Sequence, residues 1–215
     1  MPGSQSPEWE PVRVLGTRGD LYYARRRLGP ARSDDIGGRK VNWVNKERFE
    51  SAATFEEYLD RVEKNRELWH DVYNRVRLPE ELIHAARAIA GGWHLVALSE
   101  DWCGDAVNTI PVIARLADEA GWDLRVLGRD ENPDLMDTHL TSGRSRSIPV
   151  VIVHDEDFDE IGWWGPRPSE IQSWVLGEGL ALPSPERYKV VRRWYAKDRG
   201  ATTVKEFMEI FSRAV

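Results

Sequence analysis

The middle of the chain alternates short apolar segments with segments of helical pattern. Its segments are a strand over 94–100 (HLVALSE), a helix that runs to Ala120, a strand over 123–128 (DLRVLG), a short helix over 133–140, a hairpin of 148–153 (IPVVIV) and 160–164 (EIGWW), and a helix over 169–176. Gly121 follows the first of these helices, where a glycine commonly ends a helix. Strands that alternate with helices predict an α/β fold, in which helices cover a mixed sheet.

Helical patterns also precede and follow this part. Thr54 and Glu57 have the spacing of a capping box, and apolar residues then recur at helical intervals as far as Val76. A second helix is predicted over 79–90, and Thr203 and Glu206 indicate another capping box at the start of a final helix. The predicted parts are an irregular basic arm (1–45), a helical hairpin extension (46–91), an α/β core (92–178) and a C-terminal helical extension (179–215) with helices over 185–197 and 203–214.

Composition indicates a globular protein with a heavily charged surface. Of the 215 residues, 41% are hydrophobic and 31% are charged, and the formal net charge is -6. The segment from Arg13 to Lys40 is locally basic, but we expect it to lie on an acidic body and to bind no nucleic acid. No apolar run approaches the roughly 18 residues that span a bilayer, and the first residues lack the apolar core of a signal peptide. We therefore expect a cytoplasmic protein without a membrane partner.

A single cysteine, Cys103, excludes an internal disulfide and a zinc site built mainly from thiolates. The five histidines show no metal-ligand spacing, so neither a metal nor another cofactor is expected. Cys103 lies where a strand turns into a helix, and the free N–H groups and macrodipole of a helix start favour a thiolate. Asp105 acts in the opposite direction, because a nearby negative charge disfavours a thiolate. The sequence leaves the direction of the net pKa shift open.

Two segments together carry a family resemblance. The turn Trp102-Cys103-Gly104-Asp105-Ala106 follows a buried strand, and Ile148-Pro149 opens a later strand. In these features residues 92–177 resemble the thioredoxin superfamily, in particular a bacterial thioredoxin-like subfamily with one active-site cysteine and helical extensions. The resemblance implies a thioredoxin-like core in which Cys103 is the attacking cysteine, Trp102 flanks the site and Pro149 is a cis-proline facing the sulfur.

The chain also departs from the family pattern. Ala106 stands where thioredoxins have the resolving cysteine, Asp105 where they have a proline, and Ala97 where they have a buried acid that assists proton transfer. A mixed disulfide at Cys103 would therefore need an external thiol for its release. Asp105 or Glu100 is a candidate proton carrier in place of the missing acid.

Three functions remain open on this basis. The first is a monothiol redox protein whose partner is a disulfide-containing or thiol-modified protein or a low-molecular-weight thiol. The second is a non-catalytic module in which the groove beside Pro149 receives an extended peptide by backbone pairing. The third, favoured least, is a nucleic-acid contact through the basic arm.

Overall fold

The computed structural model describes residues 9–15, 21–27 and 42–212, in two units that divide after Val41. In the first unit, strands β1 (Trp9–Leu15) and β2 (Leu21–Arg27) pair antiparallel along their whole length. The prediction of an irregular arm is therefore wrong for these two strands. Their valines and tyrosines favour extended structure, and the arginines between them obscure that signal in the sequence. The remaining residues of the predicted arm before Asn42 lie outside the described part.

The second unit contains the predicted mixed sheet, which is confirmed. Its five strands are β3 (Ala53–Thr54), β4 (His94–Ser99), β5 (Asp123–Gly128), β6 (Val150–His154) and β7 (Glu160–Trp164). In the order β3-β5-β4-β6-β7, only β4 and β5 are parallel neighbours, and the other pairs are antiparallel. Every residue of β6 is buried, and in β4 only the first residue is not. The carboxyl end of β4, from which the Cys103 turn starts, thus lies at the centre of the sheet.

Helices lie before, between and after these strands, as predicted. They are α1 (Lys46–Ser51), α2 (Phe55–Arg61), α3 (Arg66–Arg75), α4 (Glu80–Arg87), α5 (Ala106–Ala120), α6 (Pro133–Thr138), α7 (Ser169–Leu176), α8 (Ser184–Asp198) and α9 (Ala201–Phe211), with a 3-10 helix over Glu178–Ala181. Gly121 ends α5 with a φ of 76°, in the left-handed region. None of the helices in the described residues combines the length and apolarity needed to cross a bilayer.

The first helical extension is divided more finely than the sequence predicts. The capping box of Thr54 and Glu57 is confirmed at the start of α2. The helix expected to run on to Val76 instead stops at Arg61 and resumes at Arg66 as α3. Between the two, the backbone N–H groups of residues 63 and 64 donate to the Asp101 carboxylate. The apolar spacing did not reveal this break because the cause lies in a distant part of the chain.

The predicted capping box at the last helix is wrong. Helix α9 begins two residues earlier, after Gly200, and Thr203 lies inside it. Glu206 instead accepts hydrogen bonds from the Trp164 indole and from the backbone N–H and hydroxyl of Ser169. Glu206 therefore fastens the end of β7 and the start of α7 to α9, and so holds the loop between them in place.

Candidate functional site

The turn between β4 and α5 places the Cys103 thiol against the lead-in to β6. The backbone N–H of Cys103 donates to the carbonyl of Glu100, at 3.0 Å, which closes the turn. The Ala106 N–H, at the first residue of α5, donates to Sγ at 3.5 Å, and Sγ donates to the carbonyl of Ile148, also at 3.5 Å. Only 7% of Cys103 is exposed. The sulfur is therefore held between the start of a helix and the segment that opens β6.

The peptide bond between Ile148 and Pro149 is cis, and a second cis bond joins Gly165 to Pro166. These two segments touch: a Cβ on Gly165 would lie 2.1 Å from the carbonyl oxygen of Pro149. With a φ of 136° as well, position 165 accepts only glycine. This close approach brings the loop after β7, and Arg167 with it, to the Cys103 turn.

Asp105 is the buried charge of the site. Its side chain does not cap α5 but turns inward, where one oxygen lies 2.5 Å from Nη2 of Arg167 and the other accepts a 3.0 Å hydrogen bond from the Tyr195 hydroxyl. Tyr195 belongs to α8, so the C-terminal extension reaches the site directly. Sequence reasoning missed both partners. Arg167 lies 62 positions from Asp105 and Tyr195 lies 90 positions from it, and no local pattern connects residues so far apart.

The structure gives a direction to the thiol pKa that the sequence left open. Burial raises the pKa of the Cys103 thiol, and the charge of Asp105 adds to the rise, against the opposing effects of the Ala106 N–H and of Arg167. The thiol is therefore protonated at neutral pH. Burial also raises the pKa of Asp105, while Arg167 and the Tyr195 hydroxyl favour its charged form.

The other predicted site residues surround the thiol in different ways. Trp102 is half exposed, and the guanidinium of Arg129 lies 5.1 Å from the centre of its ring. Gly104 faces open space, whereas Ala106 is fully buried. The carboxylate of Glu100 accepts the backbone N–H of Asp130 at 3.0 Å, which ties it to the segment after β5. Of the two candidate proton carriers, Asp105 is thus the one whose charge acts on the thiol.

Asp101, which sequence reasoning did not single out, holds the turn from the other side. Its carboxylate accepts the backbone N–H groups of Glu63 and Lys64, at 3.0 and 2.8 Å. Its carbonyl accepts the side-chain amide of Asn65 and the indole N–H of Trp69. The break between α2 and α3 therefore supplies three donors to Asp101, and Trp69 of α3 supplies a fourth. Within the described residues, no three His, Cys, Asp or Glu side chains form a group that could hold a metal.

Comparison with known proteins yields a family match and a fold match. Residues 52–189 match a family model described as thioredoxin. A protein of unknown function from Pseudomonas aeruginosa has a similar structure, with a TM-score of 0.65 and 16% identity over 80% of this chain and 99% of that one. An HIV epitope scaffold has a TM-score of 0.62 and 16% identity over 79% of this chain and 98% of its own. Curated proteins give no match. At this identity the two solved structures are evidence for the fold alone.

Proposed function

Because the chain belongs to the thioredoxin family, we propose that it carries out thiol–disulfide exchange through Cys103 alone. The observation that carries the proposal is the position of Sγ, 3.5 Å from both the Ala106 N–H and the Ile148 carbonyl. A sulfur at the start of a helix gains an N–H donor when it becomes a thiolate, and the thiolate is the nucleophile. With Ala106 in place of a second cysteine, the exchange has to use one thiol of this chain.

The exchange consists of two displacements. The Cys103 thiol gives its proton to the Asp105 carboxylate, and the thiolate attacks one sulfur of a disulfide substrate. A new S–S bond forms to Cys103, the substrate S–S bond breaks, and the departing thiolate takes a proton. An external low-molecular-weight thiolate then attacks the mixed disulfide, forms a bond to the substrate sulfur and releases Cys103. The substrate disulfide is the oxidant and the external thiol is the reductant.

Asp105 suits the role of proton acceptor by its environment. It is buried two residues after the thiol, and burial raises its pKa toward that of a group able to accept a proton. Arg167 and Tyr195 fix the orientation of its carboxylate. Asp105, a residue of the turn itself, thus takes over the proton transfer that a buried acid at the position of Ala97 would assist.

Mass spectrometry after incubation with oxidised glutathione tests the exchange. We expect an adduct on Cys103 that reduced glutathione removes, slow formation at pH 7 and faster formation as the pH rises, because the thiol pKa is raised. The Cys103→Ser variant is the control and should form none. Native protein that forms no adduct even at pH 9, while the urea-unfolded protein does, would exclude the exchange.

The Asp105→Asn variant distinguishes proton acceptance by Asp105 from the effect of its charge on the thiol pKa. Removal of the negative charge should lower the thiol pKa, and iodoacetamide should then alkylate Cys103 faster at pH 7. If Asp105 accepts the proton, adduct formation with oxidised glutathione at pH 7 should nevertheless slow relative to alkylation. An equal acceleration of both reactions would assign Asp105 an electrostatic effect only.

A second candidate function has one observation in its favour. The thiol is buried and protonated, which suits a module that binds a peptide beside Pro149 without chemistry. Such a module would bind its peptide equally well as Cys103→Ser. In the exchange function, that variant would lose the covalent complex.

A further inference from the structure

A pocket outside the Cys103 turn lies between the C-terminal helices. It encloses about 190 Å³ and is lined by Arg167, Val175, Leu180, Arg187, Tyr188 and Val191. These residues come from the loop before α7, from α7, from the 3-10 helix and from α8. We propose that this pocket binds a small organic carboxylate with a short apolar tail, a function distinct from the proposed exchange.

Arg187 is the reason why we expect the ligand of this pocket to carry a negative charge. Its guanidinium donates to two neutral acceptors, the carbonyl of Gly179 at 3.4 Å and the hydroxyl of Ser184 at 3.1 Å. In the part of the chain that the structure describes, no carboxylate lies within ion-pair distance of Arg187. Its charge is therefore uncompensated beside a partly enclosed pocket, where a carboxylate gains more from the pairing than it would in open solvent.

Arg167 also lines the pocket and has one unused donor. Its Nη2 pairs with Asp105 and its Nη1 donates to Gln172. Its Nε is buried and has no hydrogen-bond partner among the described residues. An arginine with an unpaired donor is a costly element of a protein interior, and an anion nearby offsets part of that cost.

The rest of the lining is the reason why we expect the ligand to have an apolar tail. Val175, Leu180 and Val191 supply the walls, and Leu180 is 64% exposed although it is apolar. Leu176 and Tyr188 are also more than half exposed. A bare inorganic anion would leave this surface in water, whereas an alkyl chain would cover it.

The volume of 190 Å³ sets the size of the tail. Drug-sized ligands occupy pockets of about 300–1,000 Å³, so this smaller pocket suits a shorter molecule. Hexanoate, a short linear carboxylate, would place its charged end at Arg187 and its chain against Val175 and Val191.

Isothermal titration of the full chain with hexanoate tests the assignment. We expect saturable binding to one site, at least tenfold weaker binding of hexan-1-ol, which lacks the charge, and at least tenfold weaker binding of inorganic phosphate, which lacks the tail. Equal affinity for phosphate and hexanoate would overturn the proposal in favour of an unspecific anion contact. Equal affinity for hexanol and hexanoate would overturn the role of the arginines.

Variants locate the site. Arg187→Gln should weaken hexanoate binding at least tenfold, whereas Arg193→Gln, an exposed arginine on the same helix but outside the lining, should leave it unchanged. Leu180→Ser, at an exposed position, should weaken hexanoate several-fold and phosphate not at all, and serves if Arg187→Gln folds poorly. Cys103→Ser should bind hexanoate like the original protein, so that failure of the exchange function does not affect this result. Hexanoate affinity unchanged in both Arg187→Gln and Leu180→Ser would exclude the pocket.

Discussion

Two mainly helical regions hold the Cys103 turn, residues 46–87, which precede β4, and residues 167–198, which follow β7, and they do so differently. The first holds it through Asp101, which accepts two backbone N–H groups from the break between α2 and α3, together with the Asn65 amide and the Trp69 indole. The second holds it through side chains, from Arg167 just before α7 and from Tyr195 within α8, both of which bind the Asp105 carboxylate.

The two regions also differ in how they pack against the rest of the protein. The buried residues of the first region belong to the hydrophobic core of the sheet, with Phe49 and Trp69 fully enclosed. The second region builds a small cluster of its own around Ile171, Val191 and Tyr195, with large apolar side chains left at its surface. The comparison indicates that the first region fixes where the turn lies, and that the second sets the charge environment of its thiol.

The largest expected difference is between two tryptophans. Trp69→Ala should lower the free energy of unfolding by about 3–5 kcal/mol, because it opens a cavity in the main core and removes a donor to Asp101. Trp194→Ala, in the half-exposed cluster of the second region, should cost about 1–2 kcal/mol because its site is open to solvent. Urea unfolding of both variants measures the two losses. Equal losses would show that the second region is as integral to the core as the first.

Two buried titratable groups, His154 in the sheet and Asp105 in the Cys103 turn, should respond oppositely to pH. His154, at the end of β6, is buried, and its burial lowers its pKa to about 4, against an opposing effect of Glu160. Because its folded pKa is depressed, its contribution to stability is complete above the unfolded pKa of 6.5 and is lost as the pH falls toward 4. The charges of His139 and His94 act in the same direction as burial. Asp105, with its raised pKa, contributes stability that is lost as the pH rises above 3.8.

Unfolding curves between pH 4 and pH 8 separate these contributions. The native protein should lose about 3 kcal/mol to His154 over the acid side of this range, at about 1.4 kcal/mol for each unit of pKa shift. The His154→Gln variant should lack this dependence, whereas His84→Gln, at an exposed position of α4, should retain it. If His154→Gln and the native protein show the same acid dependence, His154 does not account for it.

The sheet was accessible from the sequence because its signals are local. Strands β5 and β7 and helix α7 coincide with their predicted ranges. The two strands are apolar runs bounded by polar turns, and the helix lies between prolines and a glycine. Neighbouring residues determine the bounds of such elements. The position of Cys103 beside Ile148 followed from the family resemblance, which joins two segments 45 residues apart. Periodicity alone could not have joined them.

The electrostatics of the site were not accessible in this way. Whether Asp105 faces solvent or the interior depends on α8, whose polar sequence gives no sign that Tyr195 is buried. The residues of the break after Arg61 likewise donate to Asp101, and Glu206 binds Trp164 and Ser169 instead of capping α9. In each case a polar side chain binds a partner that is distant in the sequence. The spacing of residues along the chain does not predict such a pair.

A smaller effect is expected from the backbone anchor of the first region. Asp101→Ala should lower the free energy of unfolding by about 2 kcal/mol, because two N–H groups lose a charged acceptor but remain accessible to water. Asp60→Ala, on the neighbouring helix α2 at an exposed position, is the matched control and should change stability little. Hydrogen exchange of the Glu63 and Lys64 amides should accelerate in the Asp101 variant only. Unchanged exchange at these amides would mean that the break between α2 and α3 does not depend on Asp101.

The smallest effect, and the sharpest for the second region, is expected from Tyr195→Phe. The variant removes one hydroxyl that donates to Asp105 while Arg167 stays in place, so the free energy of unfolding at neutral pH should fall by about 1 kcal/mol. The lost hydrogen bond stabilises the ionised carboxylate, and without it the pKa of Asp105 should rise further. The loss of stability should therefore be larger at a pH where Asp105 is ionised than at pH 3, where its raised pKa keeps it protonated. Tyr188→Phe, at an exposed position of the same helix, should cost little at either pH. A loss that is the same at both pH values would reveal a packing role for Tyr195 and remove its assignment as a residue that sets the charge state of Asp105.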